Sequence, residues 1–229
     1  MIEFKNTEVL NLEGALRGMR NPMNSWIKSD SCECYDDYDC ASCRECKTKK
    51  IECGYVYCIG KNDLNLAQRL IKAGPDHRKF LRQIFVSVDV NAPLYWWKEM
   101  DQYRVSVVSN SCSTMHKIHA KEFTLDDFSH EHLTPLGLST LKYIIDRLNV
   151  FRETYIGEYE DIPKGRKKDW WDMIQILPTS YNQKRTITLN YETLRNIYNS
   201  RRNHKLDEWS VGFMEWIDTL PYSQELIKY

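Results

Sequence analysis

Residues 84–90, IFVSVDV, alternate large apolar side chains with Ser87 and Asp89, the period-two pattern of a strand with one buried face. Pro93 closes that strand and opens a short helix carrying Tyr95, Trp96 and Trp97. Further along, Leu138, Leu141, Ile144, Ile145, Leu148 and Phe151 recur at helical spacing after Thr134-Pro135, which predicts a core helix with a proline in its first turn. Residues 7–10 read as a first strand and residues 13–19 as a short helix that stops before Asn21-Pro22. Leu64, Ala67, Leu70 and Ile71 mark a helix capped by Asn62 or Asp63 and ended by Gly74-Pro75. In the C-terminal third, residues 157–168 are a charged loop, 170–177 a short helix and 184–189 (KRTITL) a strand. Asn190 then opens a helix, and a last helix over 207–220 sets Trp209, Phe213, Trp216 and Ile217 on one side. Strands separated by helices without strict alternation predict an α+β fold.

With 229 residues, 42% of them hydrophobic, the chain can bury the core of a single domain over 1–229. Its 32 basic and 32 acidic residues cancel, so nucleic acid is not expected as the main partner. No apolar run approaches the roughly 20 residues of a membrane span. The N-terminus carries Glu3 and Glu8 where a secretory leader would be basic and then apolar, so a cytoplasmic protein is expected. Seven of the eight cysteines fall between positions 32 and 58, inside a stretch (30–58) that lacks apolar periodicity and reads as an insertion. Thiolates two or three residues apart reach adjacent corners of a tetrahedron, which makes Cys32, Cys34, Cys40, Cys43 and Cys46 candidate zinc ligands. The acidic residues among them suit a solvated surface excursion equally well.

Residues 92–118 hold the densest chemistry. Tyr95, Trp96 and Trp97 are either core or flat surfaces for stacking on a ring. Arg104, Asn110, Ser111, Ser113, His116 and Lys117 offer donors for a phosphate and a base edge, unless they serve only turns and caps. A nucleotide or flavin would use both halves. His116 is a candidate acid or base or a capping residue. Cys112 is a candidate nucleophile toward C6 of a uracil ring or a small apolar filler.

The order of these segments resembles the flavin-dependent thymidylate synthase family over most of the chain. The resemblance is carried by LAQRLIKAG, an alternating strand ending in Ala-Pro, an aromatic helix, a loop with Asn110-x-x-Ser113, and then Leu177-Pro178 followed by Asn190, Asn196 and Arg201. It implies that family's fold, a central antiparallel or mixed sheet with long helices, here with a Cys-rich insertion. It also implies methylation of dUMP or a related pyrimidine nucleotide, with FAD as cofactor, NADPH and methylene-tetrahydrofolate as co-substrates, and a homotetramer. By the same resemblance Arg104, Asn110, Asn190 and Asn196 would hold the cofactor. Ser111, Ser113, Lys117 and Arg201 would hold the substrate, and Ser113 would act in catalysis. From the residues themselves, Arg202 is a further candidate for the substrate, and His116 and Cys112 are candidates for catalysis, although the resembled family works without an enzyme thiol. Against the family's central signature, this chain has Ser111 for a Glu, Met115 for an Arg and His116 for a Tyr. Each lost Arg removes a charge-assisted phosphate contact, so an altered substrate is the enzymatic reading. The other is a non-catalytic nucleotide-binding or assembly protein with a metal-binding Cys insert.

Overall fold

The computed structural model describes residues 2–35 and 55–229, and these form an α+β chain. In chain order the elements are β1 (Glu3–Leu10), α1 (Leu12–Met19), β2 (Cys32–Tyr35), β3 (Tyr55–Cys58), α2 (Lys61–Ala73), β4 (Phe85–Pro93) and α3 (Leu94–Met100). They continue with β5 (Val108–Ser111), α4 (Pro135–Ile156), α5 (Lys167–Ile176), β6 (Asn182–Asn190), α6 (Tyr191–Arg201) and α7 (Met214–Thr219). One sheet has the strand order β1-β4-β6-β5; β2 and β3 pair as a separate antiparallel ladder. The chain divides into two compact units. The first is Met1–Lys5, Asp89–Tyr103 and Ser109–Thr186; the second is Asn6–Val88, Arg104–Val108 and Ile187–Tyr229.

The first unit is organised by α4, which packs along α5. Thr134 caps α4 by accepting the Gly137 N–H, Pro135 sits in its first turn, and Gly157 ends it in the left-handed region at φ 84°, where a side chain would be strained. Its stripe residues Leu141, Ile145 and Leu148 are buried with Ile118, Phe123, Phe128 and Met173. Trp96 and Trp97 are core residues, and the Trp97 indole N–H donates to the Gln183 carbonyl (2.8 Å).

The second unit buries Ala15, Leu16 and Met19 of α1, Ala67 and Ile71 of α2, and Tyr191, Leu194 and Ile197 of α6. Here the capping expectation for α2 is corrected. The helix starts at Lys61 after Gly60, and the N–H groups of Asn62 and Asp63 donate to the Asp30 carboxylate at 2.8 and 3.0 Å. Asp63 instead turns inward, fully buried. Its Oδ1 accepts from Arg20 Nε (2.5 Å), and its Oδ2 accepts from the Ser29 (2.7 Å) and Ser31 (2.5 Å) hydroxyls. Spacing along the chain cannot show a cap supplied from thirty residues upstream.

Two further expectations are corrected. Residues 207–220 are not one α-helix, because Glu208–Phe213 forms a wider π-helical turn before α7. The widened turn still aligns the apolar side: Phe213 lies 5.1 Å from Trp209 and 5.2 Å from Trp216, centroid to centroid. Residues 108–111, read as part of a loop, are strand β5. Their side chains are all exposed, so no apolar alternation marks the strand.

Candidate nucleotide site

The polar side of the sheet in the first unit is where donors and acceptors collect. Along β4 the residues Val90 and Ala92 point to the core, which leaves Asp89 and Asn91 on the other face. Glu3 and Lys5 of β1 and Asn182 and Lys184 of β6 have the same two-residue spacing. Together with the turn Cys112, Ser113 and Thr114, these residues line a cavity of about 410 Å3, whose rim adds Lys121, Asp126, Asp127, Tyr181 and Gln183. That volume is in the range of small-molecule sites.

The turn that carries Cys112 and Ser113 is fixed on three sides. The Cys112 N–H donates to the Lys184 carbonyl (2.9 Å), and the Cys112 carbonyl accepts from Gln183 Nε2 (2.7 Å). Ser113 Oγ accepts the His116 N–H (3.0 Å), which closes a local turn, and the Trp170 indole N–H donates to the Met115 carbonyl (2.9 Å). Ile118, buried in the core, ends the segment. Gln183 is spent within the wall, since its Oε1 also accepts from Arg185 (2.9 Å), a guanidinium held 4.2 Å over the Trp97 ring and bonded to Asp101.

Charge in the cavity is nearly self-compensated. Lys184 pairs with Asp89 (3.0 Å), Lys5 with Glu3 (3.0 Å) and Lys121 with Asp127. Asp126 makes four carboxylates against three ammonium groups. Burial, reinforced by the Asp127 carboxylate and by Cys112, pushes the Tyr181 phenol above its ordinary value. Tyr181 therefore carries its proton at neutral pH and is a donor.

Of the sequence-predicted residues, Cys112 and Ser113 line this cavity, and both are exposed to it. Asn110 and Ser111 are exposed on β5 next to that turn, and His116 and Lys117 are exposed just beyond it. Arg104, Asn190, Asn196, Arg201 and Arg202 belong to the second unit. There the Asn190 side chain, 2% exposed, accepts the Thr193 N–H (2.9 Å) and caps α6. Arg201 lies 5.3 Å from the Trp209 ring centroid and Arg202 5.6 Å from that of Tyr198, while Asn196 and Arg104 are exposed. Asn190→Ala is expected to destabilise the chain by about 1 kcal/mol in urea unfolding through the lost cap, with Asn190→Asp restoring most of it. Equal losses for both variants would mean that the cap is not what Asn190 provides.

No group of three or more His, Cys, Asp or Glu is placed to hold a metal among the described residues. Cys32 lies at the start of β2 and Cys34 within it; Cys40, Cys43 and Cys46 lie outside the described residues. The cavity residues that sequence reasoning missed are Glu3, Lys5, Asp89, Asn91, Thr114, Lys121, Asp126, Asp127, Tyr181, Asn182, Gln183 and Lys184. The polar alternation of residues 84–90 was the one signal, and it covers Asp89.

Neither the family models nor the curated proteins match this sequence. Solved structures do. A thymidylate synthase X from Helicobacter pylori, crystallised with FAD and dUMP, superposes with a TM-score of 0.60 at 15% identity, over 99% of this chain and 96% of that one. A second structure of the flavin-dependent enzyme from the same organism, also with FAD and dUMP, gives 0.61 at 16% identity, over 99% and 97%. The fold is that of the flavin-dependent thymidylate synthases. At this identity the likeness establishes the architecture, and the chemistry has to be argued from the residues present.

Proposed function

We propose that the chain is a flavin-dependent pyrimidine-nucleotide-modifying protein whose cavity in the first unit takes the pyrimidine nucleoside. The observation that carries this reading is the cavity itself: a pocket of about 410 Å3, lined by paired charges, amides and hydroxyls together with the Cys112–Ser113 turn, in a fold shared with two solved structures that hold FAD and dUMP. The Asn91 amide offers a donor and an acceptor, and Asn182, whose oxygen already accepts from the Ser129 hydroxyl (2.9 Å), offers its NH2 group; the alternating edge of a uracil or cytosine ring requires both kinds. Ser113, Thr114 and the protonated Tyr181 add hydroxyls for ribose or deoxyribose.

The phosphate is a different matter. Each cavity lysine already has a carboxylate partner, and Asp126 leaves an excess negative charge. A phosphate a few Å from these acids would meet repulsion of about 1–4 kcal/mol per charge pair at surface dielectric values. The ring and sugar thus belong in the cavity, while the phosphate is left to groups outside it. Lys117 and Ser111 of the first unit are the groups we assign to it; Arg201 and Arg202 of the second unit are proposed separately as nucleotide contacts.

The donor types of Arg104, Asn110 and Asn196 suit the pyrophosphate of a dinucleotide, so these residues would hold FAD. Asn190 would contribute its remaining amide group, because its oxygen is committed to the α6 cap. Bound FAD supplies the hydride, and a folate or other donor supplies one carbon. On the protein's side, the Cys112–Ser113 turn orients the ring, and His116 serves as the acid or base. In a covalent variant, the Cys112 thiolate would add to C6 of the ring and push the C5=C6 π pair onto C5 and O4; cleavage of the C6–S bond at the end would restore the double bond and release the thiolate. NADPH as reductant, a homotetramer and a cytoplasmic setting belong to this proposal as well.

Purified protein tests it directly. Flavin absorbance that co-purifies or saturates on titration, together with dUMP binding by calorimetry, is the expected result. Asn182→Ala and Arg201→Ala should each weaken nucleotide binding at least tenfold, or about 1.4 kcal/mol. A colourless protein that binds neither FAD nor any pyrimidine nucleotide would reject the reading. Flavin-free nucleotide binding would select the non-catalytic alternative.

A further inference from the structure

At the root of the cysteine-rich stretch, Cys32 and Cys58 are register partners of the antiparallel ladder β2–β3. Residues directly opposed in such a ladder have Cα atoms about 4.5 or 5.5 Å apart, and both values fall inside the roughly 4.4–6.8 Å that a disulfide spans. We propose that Cys32 and Cys58 form a thiol–disulfide pair that reacts with a low-molecular-weight disulfide such as oxidised glutathione, closing a covalent bond across the root of that stretch.

Both positions are held from behind. On the incoming strand, Ser31 precedes Cys32 and is tied to the buried Asp63 by its N–H (3.2 Å) and its hydroxyl (2.5 Å). On the outgoing strand, Ile59 follows Cys58, and its N–H donates to the Tyr222 hydroxyl (2.8 Å). Gly60 N–H then donates to Ser31 Oγ (3.1 Å), which links the two clamps to each other. The Cα atoms of the two cysteines are thereby fixed at bonding separation before any reaction, which raises the effective concentration of one thiol at the other.

Exposure divides the roles. Cys32 is partly exposed, whereas Cys58 is buried at 8%. The Cys32 thiolate attacks one sulfur of oxidised glutathione; a mixed disulfide forms, and one glutathione leaves and takes up a proton. The Cys58 thiolate then attacks the Cys32 sulfur and expels the second glutathione. Two electrons and two protons pass to the two glutathiones, and one S–S bond replaces another. The product closes residues 33–57 into a loop, which restricts the unfolded chain and so favours the folded root.

The experiment uses the full chain, reduced and then treated with oxidised glutathione, with remaining thiols alkylated. Cleavage after Glu33 separates Cys32 from Cys34, and cleavage after Tyr55 and Tyr57 separates Cys58 from Cys53. The expected product is a Cys32–Cys58 linked peptide about 2 Da lighter than its two reduced parts. A variant with Cys34, Cys40, Cys43, Cys46 and Cys53 all changed to Ser keeps three of the eight cysteines, and its titratable thiols should fall from three to one, Cys112. Cys58→Ser should trap a glutathione adduct on Cys32, and Cys32→Ser should leave Cys58 unmodified. Cross-links distributed among the other cysteines in the unsubstituted chain, or three thiols persisting in the five-serine variant, would overturn the proposal.

Discussion

Replacing Asp63 with alanine is expected to destabilise the chain by about 3–5 kcal/mol, measured as the shift in a urea unfolding transition followed by tryptophan fluorescence. The carboxylate is fully buried and holds the Arg20 guanidinium together with the hydroxyls of Ser29 and Ser31. Removing it strands a buried positive charge, and that penalty exceeds the modest net value of the pair itself. The same group gives the stability a definite pH dependence. Burial raises the carboxyl pKa, but the hydrogen bonds from Ser31, Ser29 and Arg20 outweigh it, and the net direction is down from the ordinary value of 3.8. A depressed folded-state value means that the contribution is complete above about pH 4 and is lost as pH falls below it. Asp63→Asn should therefore flatten the acid limb of the stability profile. An unchanged acid limb in that variant, or an alanine variant as stable as the parent chain, would remove Asp63 from its place as anchor of the α1–α2 region.

Trp97→Ala is expected to cost about 3–5 kcal/mol as well, and to disturb the cavity along with the core. The side chain is 1% exposed, so its removal leaves a large void. It also carries the Arg185 guanidinium on its face and fixes the Gln183 carbonyl, while the Gln183 side chain holds the Cys112 turn. Trp97→Phe keeps most of the volume and strands that carbonyl, for about 1–3 kcal/mol. Nucleotide affinity measured well below the unfolding midpoint separates the two consequences. Both variants should bind more weakly than the parent, and a Trp97→Phe variant that loses stability at full affinity would uncouple Trp97 from the site.

Local grammar was legible where the physics is local. Thr134-Pro135 and the stripe from Leu141 to Leu148 identified α4, the alternation of residues 84–90 identified β4, and Asn190 marked the start of α6, which the structure shows it caps. The aromatic residues Trp96 and Trp97 proved to be core, as pairs of large rings on a short helix most often are. What stayed hidden depends on partners distant in sequence. The cap of α2 comes from Asp30, β5 is recognised only by its neighbour β6, and the cavity gathers residues from β1, β4, β6 and the segments around Ser113 and Asp126. Cys112 and Ser113 were found because they follow Asn110 in a dense polar segment. Asp89 was on view as a polar alternate of a strand, but a polar strand face ordinarily meets water, and nothing nearby in sequence says that it forms a wall.

The strand order β1-β4-β6-β5 has a bearing on how the chain is made. β1 ends at Leu10 and its neighbour β4 begins at Phe85, while β4 must in turn wait for β6, which starts at Asn182. Bringing such remote segments together is entropically slow, and a ribosome presents the middle strand long before its second neighbour emerges. Until then one edge of β4 lacks its hydrogen-bonding partner, so the nascent chain passes through an interval in which that edge is open to capture by chaperones or by its own kind.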